Sequence, residues 1–122
     1  MTNTVKLLID GIAYTMNLQE KPVIETFALQ GPMALKLRRF ADQEYYAPLP
    51  KPLPISGMPT TNIIHAGGLY CYEGFGVFAI PFVDAPSNLY RAVHLGDICE
   101  DIVSHLTLAD NTVSAKIEIV VT

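Results

Sequence analysis

Apolar and polar positions alternate along much of the chain. Val5, Leu7 and Ile9 are spaced by two with Lys6 between, and after Asp10-Gly11 the period resumes with Ile12, Tyr14, Met16 and Leu18. An Asp-Gly pair between two period-2 runs predicts a hairpin, because both central residues of such a turn need positive φ. The period then changes. Pro22 is pre-set for a first helical turn, Val23, Ile24 and Phe27 share one helical face, and Gly31-Pro32 is a stop, which predicts a helix over 22–30. Met33, Leu35 and Leu37 alternate with Ala34, Lys36 and Arg38, the pattern of a half-buried strand. A bend near Phe40-Ala41-Asp42 and a shorter strand over 43–47 follow.

Further on, Leu69-Tyr70-Cys71-Tyr72 and Val77-Phe78-Ala79-Ile80-Pro81-Phe82 read as two aromatic-rich strands around a Gly74-Phe75-Gly76 corner. A polar loop over 84–88 leads to a strand over 92–98. The stretch 99–106 reads as a short helix whose stripe is Ile98, Ile102, Val103 and Leu106, and 113–121 closes the chain with Val113, Ala115, Ile117, Ile119 and Val121 inward. Between 47 and 59 stand Pro48, Pro50, Pro52, Pro54 and Pro59, so this segment is read as a stiff connector without ladder or helix, packing Leu49, Leu53 or Ile55 on the core. Its prolines never fall three apart, as the Pro-x-x-Pro ligands of SH3-type domains require. Short, mostly antiparallel strands with two short helices predict a mainly β fold, a closed barrel of about eight strands capped by the helices, because closure removes exposed edges. The 122 residues are read as one domain, 1–122.

Composition sharpens this picture. Hydrophobic residues make up 50% and charged residues 16%, an apolar balance that predicts some surface covered by a second subunit, hence a homodimer. No apolar run reaches the length of a membrane helix, and Met1-Thr2-Asn3-Thr4 is not a basic leader, so a cytoplasmic chain is expected. A net charge of −4 with scattered Lys and Arg argues against nucleic-acid binding. Cys71 and Cys99 form no Cys-x-x-Cys pair and are read as two buried, reduced thiols.

The element order, together with Glu44-Tyr45-Tyr46, Gly68-Leu69-Tyr70-Cys71-Tyr72, Gly76-Val77-Phe78-Ala79-Ile80 and Leu95-Gly96-Asp97-Ile98, resembles the small bacterial and archaeal cyclophilin-like proteins of unassigned function over nearly the whole chain. True cyclophilins are peptidyl-prolyl isomerases that use an arginine near the prolyl nitrogen and an aromatic-lined proline pocket. The resemblance makes Arg38 or Arg39, followed by Phe40, a loose counterpart of that arginine region and places Phe78 at a pocket phenylalanine. The family's Phe-His-Arg-x-Ile and Gln-Gly-Gly-Asp runs are missing, the chain has no tryptophan, and a proline-rich loop follows Tyr46.

Arg39-Phe40 interrupts the apolar alternation of its strand, so one of Arg38 and Arg39 is expected to turn toward the barrel mouth, where a guanidinium can hold a carboxylate or carbonyl. Among the aromatics, Tyr70 and Tyr72 form one facial set and Phe78, Ile80 and Phe82 another, one for the core and one for a groove, with Tyr45, Tyr46, Phe75 and Tyr90 nearby. His65, His94 and His105 have no metal-site spacing: His94-x-x-Asp97 changes face along a strand, and Asp101 with His105 is an i, i+4 surface pair. No cofactor motif, catalytic residue or metal site is assigned. The expected function is binding of a small molecule or extended peptide in a cleft edged by Arg39, Tyr46, Phe78 and Phe82. The alternatives are a prolyl isomerase with a degenerate site and a structural homo-oligomer subunit.

Overall fold

The computed structural model describes residues 3–19, 21–51, 53–72, 76–86 and 91–121. Strands β1 (Asn3–Ile9) and β2 (Ile12–Leu18) form the expected hairpin, with φ of 50° at Asp10 and 85° at Gly11. Positive φ at both central positions matches the turn to the right-handed twist of the strands. Helix α1 (Lys21–Gln30) links β2 to β3 (Met33–Phe40), which turns at residues 41–43 into β4 (Glu44–Pro48). After the proline-rich segment come β5 (Ile63–Ile64), β6 (Gly68–Tyr72), β7 (Val77–Pro81), β8 (Ala85–Pro86) and β9 (Ala92–Ile98). Helix α2 (Ile102–Leu108) and β10 (Thr112–Val121) complete the order.

Eight strands close into an antiparallel barrel in the order β1-β10-β3-β4-β7-β6-β9-β2, and β5 and β8 form a separate two-stranded sheet. Alternation decides which side chains fill the interior: Leu7, Ile9, Leu37, Tyr45, Leu69, Phe78, Ile80 and Leu95 are all fully buried there. Each such side chain contributes about 1.5–3 kcal/mol of burial. Val23 and Phe27 of α1 cover one end of the interior, and Ile102 and Leu106 of α2 cover the end where the β1–β2 hairpin and the β3–β4 turn lie. Leu53 of the proline-rich segment is buried against this core, with Leu49 and Ile55 half-buried beside it. Among the described residues no helix is long and apolar enough to cross a membrane.

The Leu95-Gly96-Asp97-Ile98 run has a steric explanation. The register of β6 on β9 shifts between Leu69, paired with Gly96, and Tyr70, paired with His94, so Leu95 is an extra residue in the ladder. A Cβ on Gly96 would lie 2.0 Å from the carbonyl oxygen of Asn17, so only glycine fits where β9 meets β2.

The structure departs from several expectations. Helix α2 begins at Ile102 instead of at residue 99, because Asp101 is its N-cap: Asp101 Oδ1 accepts from the Ser104 amide at 3.2 Å and Oδ2 from its hydroxyl at 2.7 Å. Ile98 therefore belongs to β9. Within the polar loop expected over 84–88, Ala85–Pro86 pairs with Ile63–Ile64, elements too short to carry a readable period. Cys99 is exposed while Cys71 is buried, and both thiols are free. His94 and Asp97 do not diverge across the strand, since the bulge returns both to one face with His94 Nε2 3.1 Å from Asp97 Oδ1. His105 turns from Asp101 and bonds Tyr14 Oη at 2.6 Å. Most of the Gly74-Phe75-Gly76 corner, and Tyr90, lie outside the described residues.

Candidate functional site

Arg39 is the residue around which the α2 end of the barrel is assembled. The backbone alternation of β3 runs unbroken through it, so Arg39 occupies an inward position opposite Tyr45 while Arg38 points outward opposite Tyr46. A charge at an inward position must reach the rim and find acceptors. Arg39 Nε donates to the Ala41 carbonyl at 3.2 Å, and NH1 lies within hydrogen-bond distance of Tyr45 Oη (3.1 Å), the Leu106 carbonyl (3.3 Å) and the Ala109 carbonyl (3.5 Å). The guanidinium stacks over Phe82, 4.6 Å from its centroid. Tyr45 Oη donates to the Asp110 carbonyl at 2.6 Å. Arg39 thus binds the last carbonyls of α2, where a cation is favoured, and ties that helix to the β3–β4 turn. Its NH2 remains outward and meets Asp42 Oδ1 at 3.1 Å.

That outward edge lines an open cleft of about 610 Å³ on the outer face of β3 and β10, bounded by Lys36, Arg38, Arg39, Ala41, Asp42, Asn111 and Thr112. Strand register explains the grouping. Arg38 is paired with Thr112, Lys36 with Ser114, and Asn111 immediately precedes β10 while its carbonyl accepts from the Arg39 amide at 2.8 Å. Lys36 and Arg38 are exposed, and among the described residues neither has an ion-pair partner. Ala41, at the tip of the turn, is held at φ 50°.

A second polar site lies on the outer wall formed by β4, β7 and β6. Glu44 is buried, with Tyr72 Oη 2.7 Å from Oε1 and 2.8 Å from Oε2, and Gln43 Nε2 donating to Oε1 at 3.2 Å. Burial pushes its carboxyl above the ordinary value, against the opposing pull of the Tyr72 and Gln43 bonds. Beside it, Ile64, Tyr70, Tyr72, Ala79 and Ala92 make a small satellite core, with Tyr46 half-buried against it. The two aromatic sets are therefore both packed: the phenylalanines in the interior, the tyrosines outside. Burial pushes the Cys71 thiol up to about 11, which leaves it unreactive.

The model of the Cyclophilin-like family matches residues 7–118. This chain belongs to the cyclophilin-like family. No curated protein and no solved structure matches it.

On this cyclophilin-like barrel the four expected site residues do not line one concave surface. Phe78 is inside, Phe82 lies under the Arg39 guanidinium, Arg39 bridges interior and rim, and Tyr46 stands on the outer wall in register with Ala79. Arg39 and Phe82 are brought together; Tyr46 and Phe78 occupy opposite faces of the sheet. Lys36, Asp42, Asn111 and Thr112 are cleft residues that sequence reasoning misses. The signal that could find them is Lys36-x-Arg38, two cations on the outward phase of one strand in an acidic chain, with Asp42 three residues beyond Arg39. Glu44 carries no such signal, since what covers it comes from distant segments.

Proposed function

We propose that this cyclophilin-like protein is a small-molecule-binding barrel whose ligand sits outside the filled interior, in the basic cleft beside the β3–β4 turn. The observation that carries the reading is the pair of exposed cations, Lys36 and Arg38, opening on a volume of about 610 Å³. That volume falls within the range of about 300–1,000 Å³ common to ligand sites. Arg38 supplies a planar fork and Lys36 a point charge, a combination that favours anionic groups. The test is amide shift mapping of the intact chain against a panel of charged and neutral small molecules. Shifts gathered on Lys36, Arg38, Asn111 and Thr112, and lost in Arg38→Ala, are expected. Shifts gathered around Tyr46 and Tyr70, or none at all, would overturn the reading.

One observation favours a second reading, prolyl isomerisation. Arg38 is exposed and stands opposite half-buried Tyr46 on the outer wall, so a guanidinium donor and an aromatic ring are neighbours on one accessible face. A donor to the prolyl nitrogen weakens the amide conjugation that sets a barrier of about 18–20 kcal/mol. A coupled proline-isomer assay showing acceleration that Arg38→Ala removes would support it. An unaccelerated rate rejects it.

A further inference from the structure

The structure assigns a carboxylate-bearing ligand to the cleft, and it assigns Asp42 the part of the built-in carboxylate that such a ligand displaces. This rests on the cleft being the binding site and goes on to name what binds there.

The Arg39 guanidinium is divided between the fold and the cleft. Nε and NH1 are committed to Ala41, Tyr45, Leu106 and Ala109, which leaves NH2 to meet Asp42, and Arg39 and Asp42 both border the cleft. The group meeting it is the Asp42 carboxylate, 96% exposed, on a guanidinium side chain only 16% exposed. A nearly covered cation with a solvent-side carboxylate resting on it is the arrangement that a bound acid would make. The resident acid is weakly held, because the Asp42 carboxylate stays almost wholly in water, where an ion pair gains little. An incoming carboxylate can take the NH2 position while the turn swings Asp42 toward water.

The rest of the cleft says what else the ligand carries. Lys36 and Arg38 lie on the same face of β3, about 7 Å apart along the strand. With Arg39 they make three cations against the single acid Asp42 around this cleft, in a chain whose net charge is −4. A second anionic group is therefore matched by Arg38 and Lys36 once the first is on Arg39. A short dicarboxylate carries two such groups, and the seat already takes one carboxylate oxygen, Asp42 Oδ1 on Arg39 NH2 at 3.1 Å.

Succinate, acetate and inorganic phosphate are the probes, titrated into the intact chain and into Asp42→Asn and Arg38→Ala. Asp42→Asn removes the competing charge and keeps a side chain of the same size. Succinate affinity is expected to rise by roughly threefold to tenfold in Asp42→Asn and to fall by at least as much in Arg38→Ala. Acetate should bind more weakly than succinate. If Asp42→Asn leaves succinate affinity unchanged or lowers it while Arg38→Ala still weakens it, the displacement inference falls and the cleft remains the binding site. If phosphate binds more tightly than succinate and is indifferent to Asp42→Asn, the assignment of a carboxylate is overturned. If no anion shifts the cleft amides while another member of the panel does, the ligand class is wrong and the location stands.

Discussion

Arg39 and Glu44 flank one turn of this barrel on opposite faces of its wall and solve the same problem in opposite ways. Both are taken largely out of water, Arg39 at 16% side-chain exposure and Glu44 at 4% overall. Arg39 sits among three carbonyls, a phenol oxygen, a carboxylate and an aromatic face. Glu44 has the neutral donors Tyr72 and Gln43, and among the described residues no cation pairs with it. A guanidinium cannot shed its proton, so the fold must supply acceptors. A carboxyl can gain one. Tyr72 Oη lies 2.7 Å from Oε1 and 2.8 Å from Oε2, so one neutral donor spans both carboxyl oxygens. Arg39 is thus a permanent charge that organises its surroundings, whereas Glu44 is a group whose charge the surroundings suppress.

The sharpest way to break this contrast is Arg39→Met. It keeps much of the stem but removes the charged donor shared by the Leu106 and Ala109 carbonyls and Tyr45 Oη beneath α2, and it should give the largest loss of stability of any single change at this end of the barrel, read by urea unfolding. Tyr45→Phe comes next. Tyr45 is fully buried, and its hydroxyl both accepts from Arg39 and donates to Asp110, so its removal should cost about 1–3 kcal/mol. An Arg39→Met protein as stable as Tyr45→Phe would mean that the helix carbonyls are satisfied without the guanidinium and that the clamp is ornamental.

The same pair of residues explains what is readable in the sequence. The hairpin, α1, β3, β9 and β10 are legible because period and turn chemistry are local: Asp10-Gly11 requires its turn, and Val113, Ala115 and Ile117 face inward by alternation alone. Closure follows from an apolar chain that leaves no edge open. That one of Arg38 and Arg39 turns toward the barrel mouth is also legible, from the interrupted apolar alternation, and the structure gives that place to Arg39. Its distant partners are not, because Leu106 and Ala109 lie more than sixty residues away and meet it only through α2. Glu44 is still less legible. Whether an acid beside Tyr45 is exposed depends on the wall beneath it and on distant segments over it, and two-residue strands such as Ile63–Ile64 carry no period. Placing Phe78 and Tyr46 in one cleft fails on strand parity: their strands are neighbours, but Tyr46 is in register with Ala79, the residue after Phe78, so the two rings take opposite faces.

The pH response gives the next test. Because burial raises the Glu44 carboxyl above its ordinary value, the folded state holds this proton more tightly than the unfolded chain. Its stabilising effect is complete below the unfolded value and is lost as pH rises through the folded one. Glu100 and Asp101 are shifted down by hydrogen bonds from Thr15 and Ser104, so they lose stability in a separate window, on acidification below the ordinary carboxylate range. Glu44→Gln keeps an acceptor for Tyr72 and cannot ionise. Its stability relative to the parent should therefore increase as pH rises above the ordinary carboxylate range, followed by thermal unfolding at a series of pH values. A constant difference would show that Glu44 is charged in both states, or neutral in both, over the whole interval.

The smallest effect belongs to Ala41, and it separates the two residues on a different axis. The Glu44 contacts are made by side chains, Tyr72 from β6 and Gln43 from the turn, whereas the Arg39 clamp includes a carbonyl, that of Ala41, presented from a left-handed conformation. A left-handed L residue costs about 1–2 kcal/mol, and glycine removes that strain but adds back roughly 0.5–1 kcal/mol of unfolded-state entropy. Ala41→Gly should therefore raise stability by at most about 1.5 kcal/mol, with the Arg39–Ala41 bond retained. A loss instead of a gain would mean that the methyl group is in productive contact at the cleft and that the turn is not strained on its behalf. In Asp42→Asn the gain should persist, because the strain lies in the backbone at Ala41 and not in the ion pair that the next residue makes.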